Sequence, residues 1–207
     1  MKLTIALAAA AIAMVAAPAA AHTRQVKHKH AVKHSAKKHA GMTHMAHNPM
    51  VGGAAMYATR NIIENAVNSK DHTTLVAAVK AAGLVDTLSG AGPFTVFAPT
   101  NAAFARLPAG TVDTLLKPEN KSALAGVLTY HVVSGSVTSS QLVQMIKAGG
   151  GMATLTTVNG GTLTAKQMGN HIMLTDSKGG MSKVTIANVK QSNGMIHVID
   201  AVLLPKG

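Results

Sequence analysis

The amino-acid sequence predicts an α+β fold, in which helices come first along the chain and β-strands follow. Two observations support this prediction. Between residues 59 and 146, apolar residues mostly recur every three or four positions, which is the period of an amphipathic helix. From residue 152 onward the period falls to two, in segments rich in β-branched residues. Such a separation of helices and strands along the chain is typical of α+β proteins.

The first half of this pattern predicts five helices and one strand. The helices are expected at residues 59–67, 73–82, 101–107, 118–130 and 139–146. Thr73 or Thr74 is suited to cap the second helix, and Gly83 to end it in the left-handed conformation. Thr100 or Asn101 is suited to cap the third. The strand at 94–99 follows a Gly-Pro pair and alternates bulky with β-branched residues.

The second half predicts five strands joined by tight turns. The strands are expected at residues 152–156, 161–166, 171–175, 183–189 and 194–204. The segments between them contain Asn-Gly, Gly-Asn, Lys-Gly-Gly and Ser-Asn-Gly, which are turn signals of β-hairpins.

The N-terminus has the pattern of an export signal. Lys2 precedes an apolar run at residues 3–17 that only Thr4 interrupts, and the Ala-Ala-Ala at 19–21 offers a cleavage site. The run is short for a membrane span, which needs about 20 residues. We therefore expect residues 1–21 to be a signal peptide. The mature protein should act in the periplasm or outside the cell, without a transmembrane segment.

Residues 22–53 are expected to form a disordered, basic linker. The chain carries a net charge of +12, and residues 22–50 contribute six Lys and Arg, no acid and seven of the eleven histidines. Few large aliphatic residues are available there to form a core. Below about pH 6.5 the histidines add to the positive charge and favour anionic surfaces.

The same segment contains candidate ligands for Cu, Ni or Zn, because neutral imidazoles bind these metals. The candidates are His28, His30, His34, His44 and His47. Their spacing is loose, and a specific site needs ligands held at fixed geometry. Two hypotheses follow: a solvated linker that needs no cofactor, or weak metal binding by the tail.

Composition and motifs argue against several classes of function. The chain has no Cys, which excludes disulfides, thiolate nucleophiles and Cys-ligated zinc. With no Trp, two Tyr and three Phe, it lacks the stacking platforms of single-stranded nucleic-acid binders. Nucleophile-elbow and phosphate-loop motifs do not occur, and the seven acids form no evident catalytic pair. We expect neither nucleic-acid binding nor enzymatic activity.

Three sequence features together resemble the fasciclin domain family. Residues 92–104, GPFTVFAPTNAAF, are similar to the family's first block, and residues 193–205, NGMIHVIDAVLLP, to its second. Between them Tyr130 and His131 match its central tyrosine–histidine pair. The resemblance covers about residues 54–205 and departs at Asn101, where the family commonly has Asp. It implies one domain over residues 54–207, a wedge-shaped antiparallel β-sandwich with helices packed around it.

The resemblance also implies a partner-binding region. In adhesion proteins of this family, the tyrosine–histidine pair and its aliphatic neighbours are implicated in binding cell-surface receptors. The matching residues here are Tyr130, His131, Leu128, Val132 and Val133. An interior role for His131, with its ring nitrogens satisfied by backbone groups, is the structural alternative. His197 lies between Ile196 and Val198 in a predicted strand, and a structural role is expected for it too.

Together these inferences predict a secreted, non-enzymatic adhesion or surface-attachment module. Its partners would be cell-surface or extracellular-matrix proteins, or anionic glycans. The alternative is a periplasmic metal-binding protein in which the His- and Met-rich tail binds the metal.

Overall fold

The computed structural model describes residues 48–206. The helices in this range are α1 (Ile62–Ala66), α2 (Thr73–Ala82), α3 (Val85–Ser89), α4 (Asn101–Ala105), α5 (Thr111–Leu115), α6 (Lys121–Tyr130) and α7 (Ser139–Ala148), with 3₁₀ turns at Lys70–His72 and Pro118–Asn120. The strands are β1 (Met50–Val51), β2 (Ala54–Ala55), β3 (Phe94–Pro99), β4 (Val132–Ser134), β5 (Met152–Thr156), β6 (Thr162–Met168), β7 (His171–Thr175), β8 (Met181–Gln191) and β9 (Gly194–Ile199).

Seven of the strands form one curled sheet in the order β4-β3-β9-β8-β7-β6-β5. Strands β3 and β9 are parallel, and the other neighbours are antiparallel. The register of β8 against β9 shifts between Val184 and Val189, and such bulges bend a strand. Val133 bridges to Thr157, which joins β4 to the end of β5. The sheet is therefore barrel-like and close to a sandwich, and the predicted α+β class is confirmed.

Strands β3 and β9 lie between two hydrophobic cores. Val96 of β3 faces the first core, which it shares with α2 and α6 and which we call the helical core. The neighbouring Phe97 faces the second core, which is closed by α7 and the inner sides of β5–β8. In β9, Val198 faces the helical core and Ile199 faces the second core. Burial on both faces explains why these two strands carry apolar residues at nearly every position.

Several element boundaries differ from the sequence prediction. Helix α1 begins at Ile62 rather than at residue 59, because Asn61 and Glu64 form a capping box there. Strand β9 ends at Ile199 rather than at residue 204. The predicted domain boundary at residue 54 divides the β1–β2 hairpin, in which Val51 is buried in the helical core. Folded structure therefore begins no later than Met50.

Asn101 joins the start of α4 to the start of α2. Its Oδ1 accepts a hydrogen bond from the Thr74 backbone N–H at 3.0 Å, and its Nδ2 donates to the Lys70 carbonyl at 2.8 Å. The Thr73 and Thr74 side chains do not cap α2 as the sequence suggested, so the acceptor comes from a distant residue. Thr100 caps α4 as predicted, accepting from Ala103 N–H at 3.2 Å.

Replacement of Asn101 by Ala should lower the free energy of unfolding by about 1–2 kcal/mol, because the α2 terminus loses its acceptor. Asn101→Asp keeps the acceptor and adds a charge that favours a helix N-terminus, but it loses the donor to Lys70. We expect its net effect to be within about 0.5 kcal/mol. Urea unfolding of both variants measures this, and equal losses in the two would contradict the capping role.

Candidate functional site

The tyrosine–histidine pair lies at the end of α6, inside the protein. Tyr130 has no exposed surface. Its hydroxyl donates to the Thr162 carbonyl at 2.6 Å and accepts from the Ser177 N–H at 3.0 Å. A Cβ at Gly161 would come within 2.7 Å of its ring, so a glycine is needed there. The ring is thus fixed between α6, β6 and the turn after β7.

His131 connects α6 to the C-terminal segment. Its Nδ1–H donates to the Val127 carbonyl at 2.8 Å, and its Nε2 accepts from the Leu203 N–H at 3.0 Å, a tautomer assigned from these partners. Burial lowers the pKa of His131 from 6.5 to about 4, although the Val127 carbonyl and the charge of Asp176 act in the opposite direction. The ring is therefore neutral at pH 7, and both nitrogens are satisfied.

The other three residues of the predicted partner-binding set are interior as well. Leu128, Val132 and Val133 are 4%, 4% and 6% exposed. Leu128 and Val132 pack in the helical core, and Tyr130 and Val133 pack in the second core. His131 is buried beside them, so none of the five side chains forms part of the surface. Partner binding through them remains a prediction, and direct contact would require the core to open.

His197 has the structural role that its place in the sequence indicates. It is fully buried in β9, its Nε2 lies 2.8 Å from the Val137 carbonyl, and its ring stacks on Phe97 at 5.7 Å between centroids. Burial lowers its pKa, while the Val137 carbonyl acts to raise it. It is a sheet histidine that joins β9 to the segment before α7.

The candidate metal ligands His28, His30, His34, His44 and His47 lie outside the described residues. Within residues 48–206, no group of three or more His, Asp or Glu side chains is arranged to hold a metal ion. In the same range, no helix is long and apolar enough to cross a membrane.

The exposed side of strands β5–β8 carries no acidic side chain of its own, and the Asp200 carboxylate lies at its border, where Oδ1 accepts from the Lys183 N–H at 2.7 Å. We call this side the outer face: the side of β5–β8 that points away from the second core. It is formed by Met152, Thr154, Thr156, Thr162, Thr164, Lys166, Met168, His171, Met173, Thr175, Met181 and Lys183. The strand register places these residues in rows across the sheet. One row is Met152, Lys166, Met173 and Lys183, and the next is Thr154, Thr164, Thr175 and Met181.

The outer face combines fixed positive charge with hydroxyl and thioether groups. Lys166 and Lys183 lie two strands apart in one row, or roughly 10 Å between their backbones. Met152 and Met181 are 48% and 63% exposed at its borders. Such a surface can bind carboxylate or sulfate groups at the ammonium ions and share hydrogen bonds with the threonines.

Sequence reasoning did not identify this face. Alternating Thr, Lys and Met in a strand is ordinary for a solvent-exposed side. Only the register shows that the lysines of β6 and β8 lie in one row, without an acid between them.

Comparison with known proteins identifies the family. The family model described as "Fasciclin domain" matches residues 70–205. The chain belongs to the fasciclin domain family. The two sequence blocks that resemble this family correspond to β3 with α4 and to β9 with its C-terminal extension. Since β3 and β9 are parallel neighbours between the two cores, the blocks encode the centre of the fasciclin fold.

Several fasciclin relatives are similar over most of the chain. Protein sll1483 of Synechocystis sp. is 49% identical over 158 residues, which are 75% of this chain and 79% of that protein. Cell surface glycolipoprotein MPB83 of Mycobacterium bovis is 34% identical over 166 residues, 77% of this chain and 68% of the relative. A solved FAS1 domain pair from the insect cell adhesion molecule Fasciclin I matches with a TM-score of 0.64 and 18% identity. That match covers 70% of this chain and about half, 51%, of the insect chain, and it shows the shared fold.

Proposed function

We propose that this fasciclin protein is a non-enzymatic attachment module that acts in the periplasm or outside the cell, and that its outer face binds an anionic glycan or protein. A relative at the cell surface and a structural neighbour from an adhesion molecule support the class of function. The predicted signal peptide supports export.

The proposal rests on the outer face, whose strands carry two lysines and no acid; the bordering Asp200 is paired with Arg106. The two lysines extend from backbone positions that the sheet holds at a fixed spacing, so both ammonium groups can reach one anionic partner. Exposed methionines adapt their shape to apolar parts of a partner. The basic segment at 22–50 would add further positive charge and so strengthen the long-range attraction to an anionic partner.

Three titratable groups, His131, Asp176 and Asp200, are used for structure in the described fold. Both ring nitrogens of His131 are bonded to backbone. Asp176 accepts from the backbone N–H groups of Lys178, Gly180 and Leu204, and Asp200 accepts from that of Lys183. A general acid or base needs to reach a substrate instead. This supports a binding function rather than an enzymatic one.

Neutralising the outer face should weaken attachment. We expect Lys166→Gln/Lys183→Gln to lower affinity for heparin, used as a sulfated polysaccharide probe, by about tenfold, which corresponds to about 1.4 kcal/mol for the two charges. The matched control is Lys117→Gln/Lys147→Gln, which removes the same charge from exposed positions off this face. Surface plasmon resonance in physiological salt makes the comparison. Equal weakening in both double variants would mean that net charge alone binds the probe.

A second candidate function is metal capture by the tail, which the clustered histidines of residues 22–47 support. Calorimetric titration with Cu(II), Ni(II) and Zn(II) tests it on residues 22–207 and 48–207; the shorter form keeps the β1–β2 hairpin. This candidate predicts micromolar binding by the longer form and none by the shorter. Only weak heats from both forms would leave the tail as an electrostatic linker.

A further inference from the structure

The β6–β7 hairpin places two methionines and one histidine on the same side of the sheet. Met168 is directly opposite His171 in the strand register, and Met173, two positions further along β7, is opposite Lys166. Ile172, which lies between the two β7 residues, is buried in the second core. Because successive side chains of a strand point to opposite faces, Met168, His171 and Met173 all belong to the outer face.

The turn of this hairpin fixes the spacing of the three side chains. Only Gly169 and Asn170 join the two strands, and the φ of 59° at Gly169 is one that favours glycine in a two-residue turn. The Gln167 side chain also donates to the Gly169 carbonyl at 3.2 Å. Directly opposite residues have Cβ atoms about 5 Å apart, and diagonal neighbours such as Met168 and Met173 about 7–8 Å. Methionine has three rotatable bonds, so two sulfurs and one imidazole can converge on a single ion.

The highly exposed apolar side chains of the outer face are all methionines. They are Met152, Met168 and Met181, whereas the exposed Val67 and Val158 lie outside the strands of this face. A methionine differs from an aliphatic residue in its thioether sulfur, which binds soft metal ions. Of the three, Met168 alone has an imidazole directly opposite to it, and it is 59% exposed. A second soft donor is therefore available at the hairpin.

The donor set selects a soft ion with a single charge. Thioether sulfur favours Cu(I), and imidazole also binds copper. Hard cations such as Ca²⁺ and Mg²⁺ need oxygen ligands, and the strands of the outer face carry no carboxylate. The ammonium group of Lys166, opposite Met173, repels a doubly charged ion more strongly than a singly charged one at the same distance.

We propose that Met168, His171 and Met173 form a binding site for Cu(I), in which two thioether sulfurs and one imidazole nitrogen surround the ion beside the turn of the β6–β7 hairpin. The ligating nitrogen has to be unprotonated, so acid weakens binding. The site uses neither the histidines of the tail nor the charge of the lysines. Its success or failure is therefore independent of glycan binding by the outer face and of metal capture by the tail.

The test is an NMR titration of the full chain, labelled with ¹³C at the methionine methyl groups and with ¹⁵N in the histidine rings. The probe is silver nitrate in chloride-free buffer, because Ag(I) is a soft, singly charged ion. We expect the signals of Met168, Met173 and His171 to shift together and to saturate at micromolar Ag(I). Signals resolved by residue separate this site from the tail. Unchanged signals of these three residues at millimolar Ag(I) would overturn the proposal.

Methionine variants with a matched control test the geometry. Met168→Leu removes the sulfur at an exposed position and should weaken the Ag(I) response of His171 by at least about tenfold. Met145→Leu is the control, because Met145 is 40% exposed on α7, away from the hairpin, and its loss should leave that response unchanged. Equal responses of His171 in the two variants would refute the site. A shift of the Met145 signal in parallel with that of Met168 would likewise show only non-specific binding to exposed thioethers.

Discussion

Acidification from about pH 6.5 to 4 should remove about 3 kcal/mol of unfolding free energy through His131 alone. In the unfolded chain this histidine has its ordinary pKa of 6.5, whereas burial lowers the pKa to about 4 in the folded state. Between these values the unfolded chain binds a proton that the folded chain does not. The stability is therefore fully present above pH 6.5 and is lost as the pH falls toward 4.

Two further buried histidines act in the same direction. Burial lowers the pKa of His72 and of His197, although a nearby backbone carbonyl acts to raise each one. Both rings are therefore neutral in the folded protein near pH 7. The loss of stability in acid should be steeper than one histidine explains.

Urea unfolding at a series of pH values between about 7.5 and 4 measures this loss. His131→Gln cannot titrate, so the stability of that variant should fall less steeply, by up to about 1.4 kcal/mol per pH unit. The exposed His171→Gln is the control and should keep the slope of the unmodified protein. Parallel pH profiles for His131→Gln and the unmodified protein would show that His131 is not buried in its neutral form.

Tyr130→Ala should lower the free energy of unfolding by about 3–5 kcal/mol, because it removes a fully buried ring from the second core. Tyr130→Phe keeps the ring and should cost about 1–2 kcal/mol, since the Thr162 carbonyl and the Ser177 N–H lose their shared partner. Both values come from urea unfolding at neutral pH.

Tyr57→Phe provides the matched control, because that ring is 40% exposed and packs against Arg60 rather than in a core. We expect its cost to be below about 0.5 kcal/mol. Folded Tyr130→Phe should also bind heparin as tightly as the unmodified protein. Weakened binding without a loss of stability would instead indicate a direct contact between Tyr130 and the partner.

Elements with strong local signals were predictable from the sequence. Strands β3, β5 and β7 have the predicted bounds, because alternating side chains and flanking turns mark both of their ends. Helices α3 and α5 were not predicted. Each spans only five residues and has no side-chain cap, so its local sequence signal is weak.

Long-range contacts account for what the sequence could not show. The N-terminus of α2 is capped by Asn101, 27 residues away from Thr74, and the second nitrogen of His131 is satisfied by Leu203, 72 residues away. The family resemblance singled out Tyr130 and His131 but not their burial. Burial depends on how α6 packs against β6 and the C-terminal segment.

The central claim is that partners meet the outer face while the tyrosine–histidine pair supports the fold from within. Titration of the ¹⁵N-labelled chain with heparin fragments, followed by amide chemical shifts, tests it most directly. We expect the largest shifts at Lys166, Met173 and Lys183, with the amides of residues 128–133 unchanged. Shifts centred on residues 128–133, with the outer face unaffected, would contradict the account.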